Sequence, residues 1–406
     1  MRDIDATSLS ALNGSRTGDK ITVWAWYAGS LAWPTPLKVS TWAMDWDGTR
    51  QLQNLTLTIA DPTGKLSPWL FEDPLGVGGT RLQVTYQIGG AGTVNMGWYR
   101  VTQNTPAERW TAYVIDNLGQ VNPGTPTPKD KALVLELSAA TVQVTGQDLA
   151  VEAANNRLLA PDSPQGTSPT ILGEIARLLD GIVPVVTYGT VTDRAVNKTL
   201  IYQDDRLNAV QDLCKRISCD YRMNGDGQFE VYPVTKQAPV WTIAGGPEGV
   251  LVQVDRAQDL NGLYNVFVAD GTATVNNQQT PIRGIARIDA GPMAAGGPHG
   301  TYPVFYQSTM LTTQAQCDAY AATMRDTQIK GLTTDLKVTC LPHPGLQVGD
   351  WVTVAAPVIN QQTAPLVGMV KTMGLQSPRT APQAMTLTVE CSYTDVQLAF
   401  GRVNRA

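Results

Sequence analysis

The sequence predicts a mainly β, α+β protein in which an α/β insertion separates two β regions. Three observations carry that prediction. Apolar residues alternate with period two through the first ~150 residues, the signature of half-buried strands. Apolar stripes with helical spacing and matching caps gather between residues 159 and 236. After Pro239 the alternating segments return, interrupted by one helix at about 313–330. The expected division is 1–158, 159–236 and 237–406, consistent with the two to three domains that 406 residues allow.

In the first region Ile21 and Val23 give way to Trp24 and Trp26, a change of phase that predicts a strand covered on both faces or a bulge. Leu55, Leu57 and Ile59 alternate with Thr56 and Thr58, and Asp61-Pro62-Thr63-Gly64 ends that strand with turn chemistry. Segments 82–86, 96–101, 110–115, 133–137 and 142–145 continue the pattern; short strands punctuated by Gly and Pro predict a closed or nearly closed barrel. Residues 155–168, with Pro161, Pro164 and Gly166, read as a linker. A helix follows: Ser168 caps it, Pro169 suits the first turn, and Ile171, Leu172, Ile175, Leu178 and Leu179 form its stripe before Asp180-Gly181. A second helix opens near Asp205 with Leu207, Val210, Leu213, Cys214 and Ile217 on one face. The hairpin 221–223/228–232 turns around Asn224-Gly225-Asp226-Gly227. In the last region 250–254 and 263–268 read as strands and 289–300 as a Gly/Pro loop. Thr313 with Gln316 makes a capping box, Cys317, Tyr320, Ala321 and Met324 face inward, and Gly331 stands at C′. Strands at 334–339, 351–354, 366–373 and 385–392 complete the pattern.

Composition excludes several classes of function. Lys and Arg number 30 against 35 Asp and Glu, a net charge of −5, and no run of five basic residues occurs. Tight wrapping of nucleic acid needs clustered cations, so it is not expected. Charged residues are 16% of the chain where soluble domains average about 25%; with 43% hydrophobic residues the chain folds, and a folded chain so poor in charge is expected to cover part of its surface with neighbours. No stretch approaches the ~18 apolar residues of a membrane span, so stable insertion is not expected. Met1-Arg2-Asp3-Ile4-Asp5 lacks the apolar core of a secretory signal, and export is expected by another route such as cell lysis.

Chemistry-bearing patterns are sparse. The five cysteines, Cys214, Cys219, Cys317, Cys340 and Cys391, are scattered and read as buried thiols rather than zinc or iron–sulfur ligands. His299 in its Gly/Pro loop and His343 between two prolines have no partner at ligand spacing and read as solvated side chains. Gly76-Val77-Gly78-Gly79 precedes a strand, not a helix, and reads as a hairpin turn. Residues 220–230 resemble a calcium loop through Asn224, Asp226 and Glu230, but Arg222 occupies a ligand position and would oppose a cation. Asp204-Asp205 suits a helix N-terminus better than a catalytic pair. No catalytic, cofactor or metal residue is therefore assigned, and no enzymatic activity is expected. Ten tryptophans against five phenylalanines stand out, seven of them before residue 100: Trp24, Trp26, Trp33, Trp42, Trp46, Trp69 and Trp98. Core filling or subunit contact is the main reading; sugar binding is the other.

Several segments together resemble a known family. The run 57–68 (Leu57-Thr58-Ile59-Ala60-Asp61-Pro62-Thr63-Gly64-Lys65-Leu66-Ser67-Pro68), then Asp73-Pro74-Leu75-Gly76 and Gly79-Thr80-Arg81-Leu82-Gln83-Val84, resembles the N-terminal region of minor tail proteins of actinobacterial siphophages. Asp193-Arg194-Ala195-Val196, 205–213 and 226–231 resemble the insertion of the same group, and Thr312-Thr313-Gln314-Ala315-Gln316-Cys317 the opening of its late helix. Leu346-Gln347-Val348-Gly349-Asp350-Trp351-Val352 is similar to a Gly-Asp signature of the wider baseplate-hub family, where Pro344 and Gly345 break the incoming strand and Gly349-Asp350 turns into the next.

The resemblance implies a tail-tip hub with two tube-type β-barrel domains flanking the insertion, three copies forming a ring of quasi-sixfold symmetry. It implies a homotrimer meeting the distal tail protein, the tape-measure protein and other tip proteins, lining the DNA exit channel without specific DNA binding. It places the chain in the virion tail tip, after synthesis in the host cytoplasm, with no cofactor. Two alternatives stand beside it: a receptor- or glycan-binding tip protein using Trp33 or Trp69, and a tail-associated cell-wall lysin.

Overall fold

A computed structural model describes residues 1–13, 18–48, 52–116, 131–246, 249–256, 262–275, 278–308, 311–357, 363–377 and 384–403. Helix α1 (Ala6–Ala11) is capped by Asp5, whose carboxylate accepts from the Ser8 N–H. Strands β1 (Lys20–Tyr27), β2 (Ser30–Leu31), β3 (Val39–Asp47), β4 (Asn54–Ala60) and β5 (Arg81–Gln87) follow, then two long ones, β6 (Thr93–Asp116) and β7 (Lys131–Asp148). The middle of the chain holds α2 (Ala150–Asn155), α3 (Ile171–Leu179), β8 (Val185–Thr187), α4 (Arg206–Arg216), β9 (Cys219–Met223) and β10 (Phe229–Pro233). Strands β11 (Trp241–Ala244), β12 (Leu251–Arg256), β13 (Val266–Val275), β14 (Gln278–Arg287) and β15 (Pro303–Gln307) precede α5 (Gln314–Lys330). The chain continues through β16 (Thr333–Cys340), β17 (Trp351–Pro357), β18 (Thr363–Gln376), β19 (Met385–Ser392) and α6 (Tyr393–Val403). Mainly β is therefore the right class.

Strand pairing gives one 13-stranded sheet in the order β12-β16-β19-β18-β3-β4-β7-β6-β5-β1-β2, with β17 joined to β18 and β11 to β17. Among the described residues this is an open, branched path that closes no ring. Strand β18 holds it together: Thr363 to Met369 pair with β17, while Thr372 to Gln376 pair antiparallel with β3. Strand β4 shows the alternation read from sequence, with Leu55, Leu57 and Ile59 fully buried. Strand β1 keeps an unbroken register with β5, so the phase change at Trp24 is no bulge. Val23 and Ala25 fill one face, and on the other Trp26 packs against Trp98 at 5.7 Å between ring centroids.

The chain packs into two units, residues 1–254 with 337–389 and residues 255–336 with 390–406. In the first, Leu149, Ala150, Ile171, Ile175, Leu178, Leu207, Val210, Leu213, Cys214 and Phe229 are among the residues of one apolar core that α2, α3 and α4 share with the small sheet β8-β10-β9. Asp205 caps α4 as expected, accepting from Asn208 N at 2.9 Å. The cap of α3 is Thr170 rather than Ser168: its hydroxyl accepts from Gly173 N, and Thr170 also bridges to Ala195. In the second unit α5 lies on the sheet β14-β13-β15, burying Cys317 and Ala321 against Phe267, Ala269 and Ala286. The helix comes so close that a Cβ on Gly284 would overlap the Cys317 carbonyl. The Thr313–Gln316 capping box is present. Gly331 ends the helix with φ −84°, so its expected left-handed cap is replaced by a right-handed residue whose N–H reaches Thr327 O. No described helix is long and apolar enough to cross a membrane.

Candidate functional site

The Gly-Asp motif lies at the centre of a buried polar cluster. Residues 342–350 belong to no helix or strand, yet every one is buried. Such a loop survives only if its backbone groups find partners inside the protein. Two distant segments supply them. The Arg2 N–H donates to Gly345 O at 2.7 Å, and the Arg2 guanidinium donates to Pro344 O at 3.0 Å and Leu346 O at 2.5 Å. From the β9–β10 hairpin, Arg222 Nη1 donates to Val348 O at 2.8 Å and to Asp350 Oδ1 at 3.0 Å, while its Nε reaches Glu230 Oε2 at 2.5 Å. Asp350 Oδ2 accepts from Gln347 N, which closes the turn, and Oδ1 lies 2.7 Å from the Met1 amino group. The Arg222 side chain is 2% exposed and that of Asp350 1%, so the pair is screened by protein rather than water.

Burial alone would destabilise the Arg222 cation; Asp350 and Glu230 outweigh it and hold its pKa above the usual arginine value. The Arg222 guanidinium also lies over the rings of Tyr188 and Tyr232, 4.8 and 5.0 Å from their centroids. Burial lowers Arg2 to about 10. Gly349 adopts φ +87° and packs so tightly that a Cβ there would overlap the Tyr232 ring. The arrangement fastens chain to chain: it locks the β9–β10 hairpin to the loop before β17.

A second buried acid sits where β7 meets α2. Asp148 accepts from Gln53 N and Ala150 N, each at 3.2 Å, but its burial dominates and raises its pKa to about 7. An unfolded aspartate titrates near 3.9. Between about pH 4 and 7 the folded chain therefore binds a proton that the unfolded chain has released. The stability Asp148 contributes is full below pH 4 and lost as pH rises through 7. Asp148→Asn should flatten that fall. Thermal midpoints of both proteins from pH 4 to 8 are expected to converge at the acidic end and to separate by more than about 2 °C at the neutral end; parallel curves would contradict the assignment.

The residues singled out from sequence fall in different places. His343 is fully buried, not solvated, because it belongs to the buried loop, and its ring packs on Trp241 at 4.5 Å. His299 packs on Tyr302 at 4.9 Å, with Nε2 3.3 Å from Leu263 O. All five cysteines are buried free thiols, and burial raises Cys340 to about 12. Asp204 pairs with Arg157 at 3.2 Å. In the calcium-like segment Asn224 Oδ1 accepts from Asp226 N and Gln228 N, making an ordinary hairpin turn. Among the described residues no three His, Cys, Asp or Glu side chains are grouped to hold a metal. Trp42 and Trp46 are buried, Trp33 is half-buried and Trp69 is 86% exposed.

Residues 76–79 do not form a hairpin turn, because β4 and β5 are not neighbours in the sheet. They belong to a long loop, 61–80, tied by two aspartates. Asp61 accepts from Leu66 N and Ser67 N, and Asp73 Oδ2 accepts from Trp69 N at 2.6 Å and Leu70 N at 2.7 Å. Those two N–H groups hold the Asp73 carboxyl below its usual pKa. Sequence reading found Trp69 but not the cluster of Arg222, Glu230 and Asp350. The available signal was the arginine out of place in a calcium-like loop.

No family model matches the chain, and no curated protein matches it. Its fold has solved counterparts. A tail protein from Neisseria meningitidis aligns with TM-score 0.55 at 12% identity, covering 91% of this chain and 96% of the other. A 43 kDa tail protein of prophage MuSo2 from Shewanella oneidensis aligns with TM-score 0.54 at 10% identity, covering 92% and 98%. A chain of a Francisella PdpA–VgrG complex aligns with TM-score 0.50 at 9% identity, covering 93% of this chain and 53% of that one. This chain thus shares, almost end to end, the fold of two tail proteins, one of them from a prophage.

Proposed function

We infer that this chain is a structural component of a bacteriophage tail tip: the central hub of a siphophage tail, a homotrimeric ring of quasi-sixfold symmetry around the DNA exit channel. The observation that carries the reading is the fold shared over 91% and 92% of its length with two tail proteins that are themselves covered almost completely. In this reading residues 1–158 and 237–406 supply two tube-type barrels, 159–236 is the insertion, and the role involves no turnover. The meeting of β3 with β18, where an early strand pairs with a late one, supports two joined β halves. A chain with 16% charged residues suits a surface mostly covered by neighbours, which would be the distal tail protein, the tape-measure protein and other tip proteins. Its net charge of −5 suits a conduit that does not hold phosphate.

The test is the assembled mass. Native mass spectrometry and light scattering of the purified chain are expected to give three times the chain mass, and electron microscopy a ring with an open centre. A monomer at every concentration, or hydrolysis of labelled cell-wall fragments, would overturn the reading.

A further inference from the structure

Loop 61–80 presents three consecutive large apolar side chains to solvent: Trp69 is 86% exposed, Leu70 60% and Phe71 73%. The loop is built to hold them there. Asp73 clamps the backbone of Trp69 and Leu70, Gly76 N donates to Asp73 O at 2.7 Å, and Gly78 N donates to Phe71 O at 2.8 Å. A Cβ on Gly76 would overlap the Phe71 carbonyl, and one on Gly78 would lie 2.6 Å from it, so the two glycines let the strands of the loop close on each other. A knob already fixed in shape loses little freedom on docking.

The same unit carries a groove of about 480 Å³ lined by Trp26, Tyr27, Trp98, Arg81, Arg100 and the Gly78-Gly79 backbone. The Trp26 indole N–H is enclosed there without a hydrogen-bond partner. Two arginines face a single carboxylate, Glu152, at 2.5 and 3.6 Å. The knob has the opposite sign: residues 66–80 contain Glu72 and Asp73 and no Lys or Arg. One chain thus carries an apolar, acidic knob and an aromatic, basic groove, the two unlike halves that a head-to-tail ring requires of each subunit.

We propose that Trp69, Leu70 and Phe71 of one copy dock into the Trp26–Trp98–Arg81–Arg100 groove of the next copy. This contact deepens the trimer reading and rests on it. The knob side chains are exposed, so the triple variant Trp69→Ser/Leu70→Ser/Phe71→Ser should fold and melt like the parent. Its self-association, followed by sedimentation, should weaken by roughly 100-fold or more, as loss of a tryptophan-centred contact does. A second variant traps the contact. Leu70→Cys with Ala28→Cys on the groove rim should give covalent dimers and trimers on mild oxidation, and neither cysteine alone should. A triple variant that keeps the parent's oligomeric mass overturns the docking while leaving the trimer intact; the same holds if it keeps that mass but fails to enter tails, since the knob then faces another protein. A parent that stays monomeric and yields no covalent ladder overturns both.

Discussion

Arg222→Met is expected to destabilise the first unit by about 3–5 kcal/mol, because Glu230 loses its guanidinium partner in the interior and Asp350 keeps only the Met1 amino group. For a unit of this size that is a fall of roughly 5–8 °C in thermal midpoint. The cause is specific. Asp350 is 1% exposed at its side chain and Glu230 12%, so water cannot replace the guanidinium. The Val348 carbonyl loses its donor as well. Adding Asp350→Asn to Arg222→Met should recover part of the loss, since one buried charge is then removed. Calorimetry of the two single variants and the double variant reads the coupling directly. A melting point for Arg222→Met within about 1 °C of the parent would show that the cluster contributes nothing to stability.

Gly349→Ala is expected to be nearly as costly, through two separable effects. At φ +87° any side chain strains the backbone by about 1–3 kcal/mol. A Cβ there would also overlap the Tyr232 ring, which is 3% exposed and has no room to retreat. Gly246→Ala serves as the control: its φ is +108°, but nothing lies within 4 Å of the added carbon. Chemical denaturation should place Gly349→Ala below Gly246→Ala by more than about 1 kcal/mol. Equal losses would mean that the ring contact is irrelevant and that only the backbone angle matters.

The parts of the fold legible in sequence are those whose determinants are local. Strand β4 buries one face and is solvated on the other, so period two survives; α4 and α5 carry their own caps in Asp205 and Thr313. Strand β6 reads as fragments because Thr102, Gln103, Thr105 and Pro106 are exposed, and a stretch without a buried face shows no alternation. Helix α2 is six residues long, too short to display a stripe. The cap expected at Ser168 falls instead on Thr170, which also bridges to Ala195, a contact that sequence spacing does not show. The candidate site was legible in part. Gly349-Asp350 reads as a turn from sequence, but its partner Arg222 stands 128 residues away, and only the fold brings the two together. His343 misled for the same reason: a histidine between prolines looks solvated until Arg2 is found holding that loop from the far end of the chain.

The antiparallel match of Met44 with Leu375 and Trp46 with Met373 has a consequence for biosynthesis. At ~5–20 residues per second, the second member of each pair is translated roughly 15–65 s after the first, about 330 residues downstream. Throughout that interval a nascent chain displays a nine-residue strand bearing Trp42, Met44 and Trp46 with one edge bare. That bare edge is a template on which newly made chains on the same messenger pair with one another before any of them is finished. A chain arranged in this way is a natural client for chaperones that shield it until translation is complete.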